Sequence, residues 1–284
     1  MKPGAWWRQT NALIGGGLIA LLLLLIILGF FWLPFDPLAV DLRARLAPPS
    51  PTHWLGTDEF GRDVFSRLVR GAQTSTAIAA ATVSLAVLLG GIIGLAAGFF
   101  GGWLDRLLMM VTDALLAFPG ILLALALMVV LGGSIAGLVL ALTLAYAPAV
   151  VRIVRGTVFS LREREFVEAS RIIGNGAAYT LVRHGLPNAL APVAVLATSM
   201  FGWVLLSESA LSCLGLGVAP PAPSWGNMLA ASRPYLERAP WLSLAPGFAI
   251  ALTLGAINLA GDALRDRLDP VSYTHLAGDS QMTL

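Results

Sequence analysis

Residues 12–33 read ALIGGGLIALLLLLIILGFFWL, twenty-two positions without an acid or a base. A helix rising about 1.5 Å per residue needs about 20 such residues to cross a hydrocarbon core of about 30 Å. The run is longer than the roughly 7–15 apolar residues of a secretory signal, and no clear Ala-x-Ala cleavage site follows it. It is read as a retained membrane-spanning helix, with residues 1–11 ahead of it.

The same criterion, carried outward, finds five more spans. Between Arg70 and Asp105 a second span lies over about 76–100. Asp113 and Arg152 bracket 38 uncharged residues, too many for one crossing. Paired glycines mark a turn, so this run divides at Leu131-Gly132-Gly133-Ser134 into spans over about 107–131 and 135–154. A fifth runs over about 188–207 and a sixth over about 242–261. Residues 209–232 are uncharged too, but Pro220, Pro221 and Pro223 argue against a continuous helix there. The expected fold is an all-α integral membrane protein of six transmembrane helices.

The composition agrees. Of 284 residues, 57% are hydrophobic and 12% charged, with mean hydropathy +0.80; soluble domains carry about 25% charged residues. Too little charge remains to cover a soluble globule of this size. The single cysteine, Cys213, excludes an internal disulfide and a cysteine-based metal site. Six spans put both termini on one face. That face carries eleven of the eighteen Lys and Arg residues, six of them between Arg152 and Arg183, and the other face seven. Positive residues concentrate on the cytoplasmic side, so both termini are expected there. Residues 34–73 and 212–241 are then external, and one internal loop stands out over 155–187.

Seventeen of the eighteen basic residues are arginine, and the only lysine is Lys2. A P-loop needs a lysine to reach the terminal phosphates, so no ATP site of that type fits in the chain, nor a Schiff-base lysine. His53, His184 and His275 fall in different topological segments, which leaves no expected metal site. Energy must come from an ion gradient or another subunit.

In the internal loop, Phe166, Ala169, Ser170 and Ile173 recur at helical spacing among Arg162, Glu163, Arg164, Glu165, Glu168 and Arg171. This is a short amphipathic helix, stopped by Gly174 and Gly176. A second helical stretch, 177–183, returns to the membrane at Leu186-Pro187. A helix this short is marginal alone in water. Residue chemistry leaves open whether it docks in a partner's groove or lies as a solvated loop.

Glu168-Ala169-Ser170, Gly174 and Leu186-Pro187 together resemble the Glu-Ala-Ala…Gly…Leu-Pro motif of ABC-importer permeases, with Ser170 in place of the second alanine and Gly185 where an aliphatic residue is usual. Arg183-His184 before Leu186-Pro187-Asn188 is similar to the dipeptide, oligopeptide and nickel branch. So are the run Leu55-Gly56-Thr57-Asp58-Glu59-Phe60-Gly61-Arg62-Asp63, the run Ser212-Cys213-Leu214-Gly215-Leu216-Gly217 with Pro223-Ser224-Trp225-Gly226, and the end Asn258-Leu259-Ala260-Gly261-Asp262 through Asp269-Pro270. The matches span about residues 53–270, and six spans with one at the N-terminus resemble the "C-type" permease of the pair. Cys213 stands where phenylalanine is common, and the tail 271–284 matches nothing in the pattern.

The resemblance implies a type I ABC-importer fold, with a permease core over 74–270. It implies that Arg164, Glu165, Phe166, Glu168, Ala169, Ser170, Arg171, Gly174, Leu186 and Pro187 couple to an ATPase. Asp58, Arg62, Asp63, Pro223 and Trp225, in the two external segments, would contact a substrate-binding protein. Implied partners are a homologous second permease, two ATP-binding cassette subunits holding ATP and Mg, and the external binding protein, in the bacterial inner membrane. The chain itself would need no cofactor and catalyse nothing. The rival readings are an autonomous ion-coupled transporter using Asp113 or Glu208, and a membrane-embedded enzyme. The ligand among peptides, nickel, metallophores, haem and glutathione is not encoded here.

Single residues carry further expectations. Gly90, Gly94, Gly98 and Gly102 form a ridge that lets helices approach closely, either within the chain or against a second permease. Asp113 and Glu208, near opposite membrane faces, are candidates for pathway or gate, with Glu208 facing an outer vestibule or serving as a capped interface group. Asp262, Arg265 and Asp266 have helical ion-pair spacing. Pro119, Pro148 and Pro246 suffice as kinks. Trp54, Trp225 and Trp241 fit an outer aromatic belt.

Overall fold

The computed structural model describes residues 10–161 and 186–268, and 173, 174, 176, 179 and 183 between them. Eight α-helices order the described residues: α1 (Thr10–Phe31), α2 (Val64–Phe100), α3 (Gly102–Leu116), α4 (Gly120–Leu131), α5 (Ile135–Leu161), α6 (Leu186–Cys213), α7 (Trp225–Ser232) and α8 (Trp241–Leu268). Five are long and apolar enough to cross a membrane, namely α1, α2, α5, α6 and α8, and the bent pair α3–α4 makes a sixth if counted as one span.

The third span departs from expectation. The continuous helix expected over 107–131 is two helices meeting at 94°. Pro119 is the cause. A proline has no N–H to donate and pushes the preceding residue out of the α region. Its own backbone is extended, at φ −54° and ψ 126°, and its carbonyl accepts from the N–H groups of Leu122 and Leu123 to start α4. Pro148, Pro192 and Pro246 instead sit inside unbroken helices.

Helix α2 has 37 residues, about 55 Å at the usual rise. It is longer than a hydrocarbon core is deep, and its first three turns belong to the segment 34–73 expected to be external. Asp63 caps it, accepting from the N–H of Ser66 at 2.8 Å, and Gly101 at φ 65° ends it. Parallel to it runs α5, and these two helices form the centre of the bundle together with α6. Helix α1 lies outside, against α8 and the start of α2. Gly15 meets the backbone of Ala260, and Gln73 donates to the Ile26 carbonyl at 2.9 Å. Leu21, Leu23, Leu24, Ile27 and Leu28 on α1 are half exposed, as befits side chains facing acyl tails.

Candidate functional site

The two segments expected to be external, 34–73 and 212–241, fold together into one cap. Leu46 and Val64 from the first pack with Met228 and Ala239 from the second and with Leu242 in the first turn of α8. The Trp241 indole donates to the Thr57 carbonyl at 3.3 Å. Residues 55–63 form a turn held by their own polar groups. Asp58 accepts from the N–H groups of Phe60 and Arg62, both at 2.9 Å, and from Arg62 Nε at 2.7 Å, with Arg67 Nε at 3.4 Å. Asp63 accepts from Ser66 and pairs with His53 Nδ1 at 2.9 Å. Thr57 Oγ1 donates to the Ala44 carbonyl. Burial beside Asp58 pushes the Glu59 carboxyl above its usual range.

These pairings alter the expected binding-protein contact. Asp58, Arg62, Asp63, Pro223 and Trp225 are all buried inside this chain. Short polar side chains in a turn are consumed as caps and pairs, so the motif builds the platform and presents little of itself. What it leaves exposed are the rings of Phe60 and Trp54. The aromatic belt is corrected in the same way: Trp225 is enclosed, its indole donating to the Leu68 carbonyl at 3.0 Å, and only Trp54 of the three is exposed, its ring 4.9 Å from that of Phe65 and tilted by 60°.

Glu208 is 0% exposed and faces no vestibule. Its carboxylate accepts from Ser224 at 2.8 Å, Ser212 at 2.9 Å and Ser75 at 3.3 Å. Three hydroxyls from α2, α6 and the cap of α7 satisfy the buried oxygens, as a carboxylate away from water requires. Ser75 in turn accepts from the Trp225 N–H at 3.1 Å. Gly226 is there for space, because a Cβ on it would stand 2.9 Å from Glu208 Oε1 and 2.7 Å from Ser209 Cα. Ser75 and Ser224, 149 positions apart in sequence, carried no signal of this junction before their partners were placed.

Gly90, Gly94 and Gly98 face α5. A Cβ on each would lie within 3.0 Å of the helix opposite: the Ala147 carbonyl and Val150, the Val151 carbonyl and Val154, and the Arg155 carbonyl and Val158. The close approach is therefore internal to the chain. Gly102 stands apart in the α2–α3 corner at φ 62°, with open space around it.

At the end of the bundle away from the cap, α3 is tied to α5 by two ion pairs. Arg155 grips Asp105 with Nε at 2.5 Å and Nη2 at 2.7 Å, and Arg152 Nη2 donates to Asp113 at 2.7 Å. The sequence reading singled out Asp113 but missed its partner. The signal available was two arginines three apart on one helix, opposite Asp105 and Asp113. Tyr146 on α5, also unremarked, hydrogen-bonds Ser207 at 2.7 Å and stacks with Trp203 of α6. Asp262, Arg265 and Asp266 are exposed at the end of α8.

Of the expected coupling residues, Arg164, Glu165, Phe166, Glu168, Ala169, Ser170 and Arg171 lie outside the described residues. Gly174 has φ 90°, a left-handed conformation that favours glycine. Leu186 and Pro187 begin α6, exposed. Helices α5 and α6, which pack on each other, thus bracket residues 162–185.

A bundle of long apolar helices with one broken span and a cap at one end is the architecture of a multi-span membrane protein. Residues 90–271 match the family of binding-protein-dependent transport system inner membrane components, and the chain belongs to that family. It is 45% identical over 226 residues to the dipeptide transport system permease protein DppC of Alkalihalophilus pseudofirmus, covering 80% of this chain and 74% of that one. Over 263 residues it is 44% identical to a "Putative peptide transport system permease protein" of Brucella suis, covering 93% and 88%. The fold is similar to a chain of the MetNI methionine ABC transporter in an inward-facing conformation, with TM-score 0.57, 20% identity and coverage of 72% and 96%. The chain is thus a transmembrane subunit of an ABC importer of type I fold, from a family of membrane components. The family gives no support to an autonomous ion-coupled transporter.

Proposed function

We propose that the chain forms half of the path for short peptides, or for a related small ligand such as nickel or a metallophore complex. The observation carrying this is 44–45% identity, over most of the chain, to proteins named as dipeptide and peptide permeases. A homologous second permease completes the path, and an external binding protein delivers the ligand. Two ATPase subunits hold ATP and Mg on the cytoplasmic side, and this chain hydrolyses nothing, having Lys2 as its only lysine and no P-loop. Both termini are cytoplasmic, following the arginine distribution.

Coupling runs through residues 162–176 and the return at Leu186-Pro187. Because α5 ends at Leu161 and α6 begins at Leu186, a push on the segment between them moves two packed core helices together. This suits rigid-body rotation of one bundle against its partner. The binding protein rests on the outer cap through exposed groups such as Phe60 and Trp54, over the buried scaffold of Asp58, Arg62, Asp63, Pro223 and Trp225.

The test of the ligand is uptake by the reconstituted complex with its binding protein. Radiolabelled dipeptide should enter on ATP addition and be competed by unlabelled dipeptide. Uptake of a nickel complex with no effect of dipeptide would overturn the peptide assignment.

A further inference from the structure

Helix α4 is short for its place. It is joined to α5 by the turn at Gly132, Gly133 and Ser134, and its twelve residues reach about 18 Å of a core about 30 Å deep. Its first residue, Gly120, faces Tyr146, whose Cε1 would stand 3.8 Å from a Cβ built there, and Tyr146 is the twelfth of the 27 residues of α5. The break between α3 and α4 therefore lies near the middle of the membrane. Non-helical backbone at that depth persists only inside protein or against a water-filled cavity. Yet Ala117, Phe118 and Pro119 are exposed on this chain, Phe118 by 60%.

A second observation points the same way. Asp113 and Arg152 lie 2.7 Å apart, one turn below the break, and each side chain is 60% exposed. Ionised groups are costly against acyl tails. Arg152 spends one N–H on Asp113 in the geometry described, of the five a guanidinium carries. A protein surface over the pair would desolvate the rest without pairing them. Water serves all of them.

We infer that the α3–α4 break and the Asp113–Arg152 pair line a water-filled path through the membrane, on the face of the chain formed by α3, α4 and α5. This rests on the importer reading and adds to it which surface meets the ligand. A carboxylate and a guanidinium side by side suit a ligand carrying both signs of charge.

Cys213 is the only cysteine, so Cys213→Ser gives a thiol-free chain for labelling. In that background Phe118→Cys is compared with Leu23→Cys, on the exposed face of α1, in the full complex in inside-out vesicles. The probe is a charged, membrane-impermeant thiosulfonate. Phe118→Cys should react about tenfold faster or more, because a charged reagent is excluded from hydrocarbon. Equal rates would overturn the proposal. So would reaction in the separated chain with protection in the complex at every stage of the ATP cycle, which would mean a protein covers the break. Should Phe118→Cys fail to assemble, Ala117→Cys takes its place. ATP-dependent release of dipeptide enclosed with the binding protein is measured on the same vesicles: labelling without release would sink the importer reading and leave the water-lined break standing.

Discussion

At the residue scale, the buried Glu208 side chain ties α2, α6 and the start of α7 together beneath the cap. Glu208→Ala leaves Ser75, Ser212 and Ser224 without their acceptor, and a buried polar group left unsatisfied costs about 1–3 kcal/mol. The purified variant should melt several degrees below the parent chain, with Glu208→Gln between the two because its amide oxygen still accepts. Melting temperatures of Glu208→Ala and parent that coincide would remove Glu208 from this role. The residue type and its position near a membrane end were legible in sequence. Its orientation was not, because the three hydroxyls that hold it come from distant segments. The same holds for the run at 55–63, whose acids and arginine suggested recognition and turn out to cap and pair one another.

At the scale of elements, the α2–α5 contact makes a matched pair of opposite predictions. Gly94→Ala puts a Cβ 2.7 Å from the Val151 carbonyl and 2.8 Å from Val154 Cβ, so the two helices must separate. Overpacking of this kind costs about 1–3 kcal/mol, and folded yield in membranes should fall. Gly91→Ala, three residues away on the same helix with nothing within 4 Å, should leave yield unchanged or raise it, since alanine is the better helix former by about 1 kcal/mol. Equal yields from the two variants would remove the ridge from the packing account. The inner ion pairs make a further case. Asp105→Arg should weaken the complex, and Asp105→Arg with Arg155→Asp should recover part of the loss if the pair at 2.5 Å joins α3 to α5. No recovery would mean that α3 is held by other contacts. Charge-free runs reported the helices faithfully because the bilayer imposes length. They could not report the break at Pro119, because a run of uncharged residues reads the same whether straight or bent. Pro148, Pro192 and Pro246 in unbroken helices show that proline alone does not decide.

At the scale of the whole molecule, the chain is a pathway half that depends on an energy source elsewhere. That dependence was legible in the single lysine and in the run from Glu168 to Pro187, whose resemblance the family match supports. The ligand was not legible, because uncharged spans offer few groups that would select it. The most direct test is uptake driven by enclosed ATP into vesicles holding this chain, its second permease and the ATPase subunits, with the binding protein outside, and with and without Glu168→Ala and Gly174→Ala together. The account predicts ATP-dependent import by the parent complex, and in the double variant a complex that still assembles in the membrane and still hydrolyses ATP but imports little. Unchanged import by the double variant, or import by this chain alone without ATPase subunits, would contradict it.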